Sequence, residues 1–231
     1  MGNVLDLTAK TVFDELGQLY FDVTCREDDR VSRKRLRPEE FFGLFDESKD
    51  DNSEDMIQIL RLPDSVICAA QGVNQVDTFD AVLFFPAEKR LFSLFGEICR
   101  IPFPGIVAKV SVRKGVRTET LVFATDTNSI TDNSPLYLYP FGNVSVCGDP
   151  CFGNISTGVL KDVTYAPLIM ELFFAGDTND DYWTPIKVNH AAKTQREVVE
   201  NLKKLETYPC EWLMKDSMNR RIRDLKEGIA G

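Results

Sequence analysis

Hydrophobic and polar positions alternate through the middle of the chain and predict a β-rich body. The predicted strands are residues 18–25, 81–85, 90–95, 106–113 and 118–124. The stretch 86–89, Pro-Ala-Glu-Lys, is expected to form a hairpin loop between the second and third strands, and Lys114-Gly115 the turn between the last two. Short connections between consecutive strands favour an antiparallel meander.

Helical spacing of apolar residues replaces alternation near the end of the chain. The predicted helices are residues 39–45, 163–174, 194–205 and 212–225. Pro167 is expected near the start of the second, and Thr194 as the N-cap of the third. The fold class is therefore α+β, an antiparallel meander followed by an irregular loop and C-terminal helices. We expect residues 1–75 to form a strand-and-helix extension packed on a core of residues 76–231.

Composition and charge exclude several classes of protein. The chain has 231 residues, of which 43% are hydrophobic and 27% charged, so a packed core is expected rather than disorder. Its net charge of −9 argues against nucleic acid as the main partner, because phosphates demand clustered Lys and Arg. The sequence contains no apolar run of about 18 residues, so no membrane-spanning helix is predicted. The N-terminus lacks the pattern of a signal peptide, which predicts a cytoplasmic protein.

The loop that follows the meander carries the candidate chemistry. Asn143 is followed eight residues later by Cys151, and the glycines and proline between them suit a tight, irregular loop. A Cys nucleophile needs a hydrogen-bond donor for the oxyanion formed when its thioester is attacked, and an Asn amide is a suitable one. The alternative role for Asn143 is to brace the loop through backbone hydrogen bonds.

Cys151 has alternatives of its own. It is a nucleophile, an inert thiol, or a partner of Cys147 in a regulatory disulfide. A zinc site would need Cys147 and Cys151 together with distant ligands, since the chain has one histidine, His190, and no second close Cys pair. We therefore expect neither a metal nor a cofactor.

The order of these features resembles the ubiquitin-conjugating (E2) fold. That family carries His-Pro-Asn with the thioester-forming Cys eight residues after the Asn, and Phe141-Gly142-Asn143 and Cys151 stand at the matching distance here. With Phe141 in place of His, the chain is similar to prokaryotic E2 family D and the related PRTRC system protein B family. Those proteins have an aromatic-Pro-x-x-Asn-Val segment and then Cys-x-Gly-Asn, as in residues 139–144 and 151–154. Weaker agreement spans about residues 80–215.

The resemblance implies a UBC (E2)-like fold and a transferase. The chain would accept a ubiquitin-like protein from an E1-like activating enzyme as a Cys151 thioester, with Asn143 as oxyanion donor, and pass it to an amine of an acceptor protein. Members of the family are associated with a JAB-type protease, and the association suggests bacterial antiphage defence.

Other functions stay open at this point. Because the His of the E2 pattern is missing, one alternative function is a non-catalytic scaffold that binds the ubiquitin-like protein or the E1. A Cys hydrolase is disfavoured because no His base is evident. The acidic loop with Asp177, Asp180 and Asp181 is either a border of the active site or a solvated loop.

Overall fold

The computed structural model divides the chain into two compact units, Met1–Ile59 and Leu60–Gly231. The residues that it describes are 5–13, 19–27, 30–37, 62–71, 75–155, 157–227 and 229. The helix predicted at residues 39–45 lies outside them, and the packing of residues 1–75 on the core stays a prediction.

The first unit contains a three-stranded antiparallel sheet of order β1-β2-β3. Its strands are β1 Leu5–Phe13, β2 Leu19–Glu27 and β3 Arg30–Leu36. Each strand pairs with the next along the chain, from Leu5 opposite Glu27 to Glu27 opposite Arg30. The strand predicted at residues 18–25 is confirmed as β2.

The second unit contains two further sheets. Its strands are β4 Val66–Gln71, β5 Phe79–Phe85, β6 Glu88–Leu94, β7 Glu97–Phe103, β8 Gly105–Arg113, β9 Val116–Thr125, β10 Tyr137–Leu138 and β11 Asp177–Thr178. One sheet has the order β10-β9-β8-β5-β4 and the other β11-β6-β7. All pairings are antiparallel except that of β11 with β6.

The hairpin loop predicted at residues 86–89 is wrong, because β5 and β6 lie in different sheets. Phe85 pairs with Ile106 and Glu88 with Phe103, so the two sheets share one register. Residues 79–94 and 97–113 therefore form one long hairpin, interrupted where Pro86 and Pro104 remove ladder donors. Its turn lies instead at Phe95-Gly96, where both residues have positive φ.

The turn predicted at Lys114-Gly115 is confirmed. Arg113 pairs with Val116, and the two residues between them have φ of 53° and 72°. Positive φ at both central positions is the geometry that matches the twist of the flanking strands. This hairpin places β9 where it supports the Asn143–Cys151 segment.

The described residues of the second unit also form three short α-helices. They are α1 Ala166–Ala175, α2 Gln195–Leu202 and α3 Ile222–Lys226. Pro167 lies in the first turn of α1, and the Thr194 side chain caps α2 by accepting from the Glu197 N–H, as predicted. No helix among the described residues is long and apolar enough to cross a membrane.

The final helix is much shorter than the predicted 212–225. Residues 213–221 of that range are not helical, because the Leu138 N–H donates to the Met214 carbonyl and the Leu136 N–H to the Arg220 carbonyl. These bonds to the segment around β10 replace helical bonds, so tertiary pairing overrides the apolar spacing. Helix α3 then covers one face of the main sheet with Ile222 and Leu225.

The main sheet is apolar on both faces, as a buried central sheet requires. On β5, Ala81 and Leu83 belong to the larger core, which also contains residues of α1 and α2. Val82, between them, belongs to the smaller core under α3. The structure is α+β with antiparallel sheets and few helices, which is compatible with an E2-like fold.

Candidate active site

Asn143 and Cys151 face each other at the base of a small surface hairpin. The Cys151 N–H donates to the Asn143 carbonyl at 2.7 Å, and Val144 forms a bridge with Pro150. Closer to the tip, the Ser145 N–H donates to the Asp149 carbonyl at 2.8 Å. The spacing of eight residues is thus the length of chain that leaves Asn143, turns, and returns opposite it.

Cys151 is exposed, while the residue after it anchors the chain. Phe152 is buried, and its ring centroid lies 5.4 Å from that of Phe173 in α1. The Arg117 guanidinium lies 3.9 Å from the centroid of the Phe152 ring. The backbone at Cys151 is therefore fixed by its neighbour, and the residue itself is open to solvent.

Cys147 lies at the tip of the same hairpin and is also an exposed free thiol. Its N–H donates to Ser145 Oγ at 3.1 Å, which holds the tip in a tight turn. Gly148, with φ of 99°, presses on β9, where its carbonyl accepts from the Val122 N–H at 2.8 Å. Because Cys147 and Cys151 lie at opposite ends of the hairpin, the geometry favours two separate thiols over a disulfide between them.

The Asn143 carboxamide contacts the acidic loop. Its Nδ2 donates to the Asp177 carbonyl at 2.8 Å, and its Oδ1 accepts from the Asn179 N–H at 3.2 Å. The Asn143 N–H also donates to the Asp181 carbonyl at 2.7 Å. These bonds are the bracing contacts considered for this residue. An amide NH₂ carries two hydrogens, and one of them is engaged here by the described residues.

The acidic loop thus borders Asn143 rather than standing apart from it. Asp180, Asp181 and Tyr182 are exposed. Asp177 anchors the loop to the turn of the long hairpin, since its carboxylate accepts from Ser93 Oγ at 2.6 Å and from the Gly96 N–H at 2.9 Å. Two exposed carboxylates consequently lie close in the chain to the backbone that holds Asn143.

Gly142 explains why proline does not precede Asn143 in this chain. Its N–H donates to Oε1 of Gln195, a fully buried side chain, and proline has no N–H to offer. Gln195 Nε2 in turn donates to the Asn179 carbonyl at 2.9 Å. A Cβ at position 142 would lie 1.9 Å from the same Asn179 carbonyl oxygen, so only glycine fits.

Phe141, which stands where the E2 pattern has His, holds the segment by packing. Its ring is fully buried, with centroids 4.8 Å from Phe92 and Phe103 and 5.6 Å from Tyr139. Aromatic contacts of this kind add to the stabilisation from area burial. The loop is therefore anchored through the aromatic core, and a hydrogen-bonding His at this position is replaced by apolar burial.

Lys187 is the unexpected residue of the site. It is fully buried, and Nζ donates to the Phe141 carbonyl at 2.8 Å and to the Val144 carbonyl. Burial lowers the pKa of Lys187 from 10.5 to about 7. A neutral amine has two N–H donors, which match these two carbonyls.

Two buried residues that bond the backbone around Asn143, Lys187 and Gln195, were not identified by the sequence analysis. Lys187 follows Pro185-Ile186 in a 3-10 turn, and Gln195 is the first residue of α2. Both side chains are polar. The local sequence pattern does not show whether such a residue is buried and bonded to backbone groups or exposed to solvent. Their role is visible only in the folded structure, where they contact residues 141–144.

His190 has a structural environment. Its ring centroid lies 4.0 Å from that of Trp212, and Nδ1 accepts from the Ala192 N–H at 3.0 Å. One of the two ring nitrogens is thereby engaged locally. Among the described residues, no group of three His, Cys, Asp or Glu is arranged to hold a metal ion.

Gly142→Ala should destabilise the protein far more than Gly153→Ala. A Cβ at 142 meets backbone, which cannot yield, whereas nothing lies within 4 Å of a Cβ at 153. We expect losses of about 3 kcal/mol for the first, as for severe overpacking, and about 1 kcal/mol for the second, whose positive φ alone is unfavourable for alanine. Urea unfolding of both variants measures this. Equal losses would contradict the close approach at Gly142.

The buried Lys187 predicts a stability that rises with pH. Its pKa is about 7 when folded, against about 10.4 in an unfolded chain. Between these values the unfolded chain binds more protons at this position, so its contribution to the free energy of unfolding rises, by up to about 1.4 kcal/mol per pH unit. Below pH 7 this dependence disappears.

The measurement compares the wild type with Lys187→Met by urea unfolding at pH 7.5 and pH 9.5. Other titrating groups act in both proteins and cancel in the difference. We expect the wild type to gain stability relative to the variant as the pH rises. Parallel pH dependences would show that Lys187 does not change its charge in this range.

Comparison with known protein families adds independent information about this chain. The family model described as prokaryotic E2 family D matches residues 48–215, which include the whole Asn143–Cys151 hairpin and the acidic loop. No curated protein and no solved structure matches.

Proposed function

Because the chain belongs to prokaryotic E2 family D, we propose that Cys151 accepts a ubiquitin-like protein from an E1-like activating enzyme and transfers it to an amine. The observation that carries the proposal is the exposed Cys151 held opposite Asn143 by a 2.7 Å backbone bond. Its support is geometric: a cysteine open to solvent lies across the base of the hairpin from Asn143, whose carboxamide is held by the acidic loop.

The first step is an exchange of thioesters. The E1 uses ATP to form a thioester with the C-terminus of the modifier. The Cys151 sulfur attacks the carbonyl carbon of that thioester, the bond to the E1 sulfur breaks, and the E1 leaves as a thiol with the proton from Cys151. Thiol–thioester exchange conserves one thioester bond, so no further energy source is needed.

The second step is aminolysis. The nitrogen of the acceptor amine attacks the same carbonyl carbon, the bond to Cys151 breaks, and the thiolate regains a proton as the amine loses one. The remaining hydrogen of Asn143 Nδ2 is the donor for the oxyanion in between. The exposed carboxylates of Asp180 and Asp181, next along the chain from the Asn143 contacts, support approach of a positively charged amine.

The test is reconstitution with the full chain. The protein is incubated with a cognate E1-like enzyme, its ubiquitin-like protein and ATP, and the products are separated with and without a reducing thiol. We expect an ATP-dependent adduct that the thiol removes. Stable binding of the modifier or the E1 without an adduct would overturn the proposal in favour of a non-catalytic scaffold.

A further inference from the structure

The buried side chain of Lys187 contacts the backbone of the candidate site from the protein interior. The residues 141–144 form the arm of the hairpin that carries Asn143. The Asn143 carbonyl accepts from the Cys151 N–H, whereas the carbonyls of Phe141, two residues earlier, and of Val144, the next residue, accept from Lys187 Nζ. One buried amine thus bonds the backbone at one point before and one point after the residue that pairs with Cys151.

The backbone at Lys187 is bonded to neighbouring segments of the core. Its N–H donates to the Thr184 carbonyl at 3.1 Å, closing a 3-10 turn, and the next residue, Val188, is buried and forms a bridge with Leu213. The Asn189 N–H adds a bond to the Trp212 carbonyl at 2.8 Å. An anchored backbone on one side and two short polar contacts on the other make the side chain a rigid link.

An amine at this position is costly unless it serves its two carbonyls. The side chain is fully buried, and among the described residues no carboxylate pairs with it. A methionine of similar length would remove the desolvation penalty, but would leave two buried carbonyls without a donor. The loss would fall on the Phe141–Gly142 and Val144–Ser145 peptide groups, one before and one after Asn143 in the chain.

From this arrangement, and resting on the proposed function of Cys151, we propose that Lys187 is a positioning residue that fixes Asn143 opposite Cys151 by holding the Phe141 and Val144 carbonyls. It touches neither the thioester nor the acceptor. Its effect passes through Asn143, so removal of Lys187 should slow discharge of the thioester while the thiol itself stays available for charging.

The experiment measures single-turnover discharge of the preformed thioester onto an amine. We expect Lys187→Met to charge normally and to discharge about 10-fold to 100-fold more slowly, the range expected for a misplaced catalytic group. Ile186→Ala is the matched control, because Ile186 lies in the same turn with its side chain exposed. That control should discharge at the wild-type rate.

A double-mutant cycle separates positioning from general stability. In an Asn143→Ala background, Lys187→Met should cause no more than about a twofold further slowing, since its effect is exerted through the missing amide. A merely structural role would slow both backgrounds by the same factor and would overturn the proposal. Unchanged discharge in the single variant would overturn it as well. If Lys187→Met does not fold, Lys187→Gln, which retains an N–H donor, replaces it in the same cycle.

A second readout does not need conjugation. Amide hydrogen exchange at Cys151 reports the bond to the Asn143 carbonyl, and it should become at least about tenfold faster in Lys187→Met but not in Ile186→Ala. If the wild type never forms a thioester, the proposed function fails while this exchange still decides the role of Lys187. Unchanged exchange at Cys151 would overturn the positioning role even if the thioester forms.

Discussion

Cys151→Ala should abolish the thiol-sensitive adduct with the ubiquitin-like protein completely. The side chain removed is the only one at the base of the hairpin that can form a thioester, and Cys151 is exposed beside Asn143. The fold should be unaffected, because the anchoring contact in this segment is made by Phe152. The measurement is the yield of adduct after incubation with the E1, the modifier and ATP.

Cys147→Ala is the matched control, since Cys147 is an equally exposed thiol at the tip of the same hairpin. This variant should form the adduct at the wild-type level. Loss of the adduct in Cys147→Ala with retention in Cys151→Ala would assign the thioester to the wrong end of the hairpin and would refute the assignment made here.

Asn143→Ala should still accept the modifier but should discharge it about 10²–10³-fold more slowly, as expected for removal of one oxyanion donor. Charging depends on the Cys151 thiol, which the substitution leaves in place. In the proposed mechanism, discharge depends on an amide hydrogen of Asn143 beside the developing oxyanion. Single-turnover assays that separate the two steps measure the effect.

The control for Asn143→Ala addresses the backbone. Asn143 has φ of 60°, which costs alanine about 1 kcal/mol of steric strain but carries no steric penalty for glycine. Asn143→Gly therefore removes the carboxamide without strain and should show the same slow discharge. If both variants fail to fold or to charge, the bonds to Asp177 and Asn179 are the dominant role of this residue.

The candidate site could be located from sequence because its determinants are local. Glycines and a proline between Asn143 and Cys151 demand a tight turn, and a hairpin of that length returns residue 151 to residue 143. The β8–β9 turn was predictable for the same reason, since Lys114-Gly115 supports positive φ at both central positions.

Features that depend on distant pairing escaped prediction. Pro86 was interpreted as the start of a hairpin loop. In the structure the β5–β8 and β6–β7 pairs share one register on either side of Pro86, and the turn of this hairpin is at Phe95-Gly96. The apolar spacing of residues 212–225 predicted a helix, yet bonds from Leu136 and Leu138 hold residues 213–221 in a non-helical conformation. Lys187 gave no signal at all, because its partners are carbonyls more than 40 residues earlier in the chain.

The most direct test of the account is to locate the bond. The wild-type chain, charged with the ubiquitin-like protein by its E1 and ATP, is digested under non-reducing conditions, and mass spectrometry identifies the joined peptides. The account predicts that the C-terminus of the modifier is attached to the Cys151 sulfur and is released by a reducing thiol. Attachment at another residue, or a linkage that the thiol does not cleave, would contradict it.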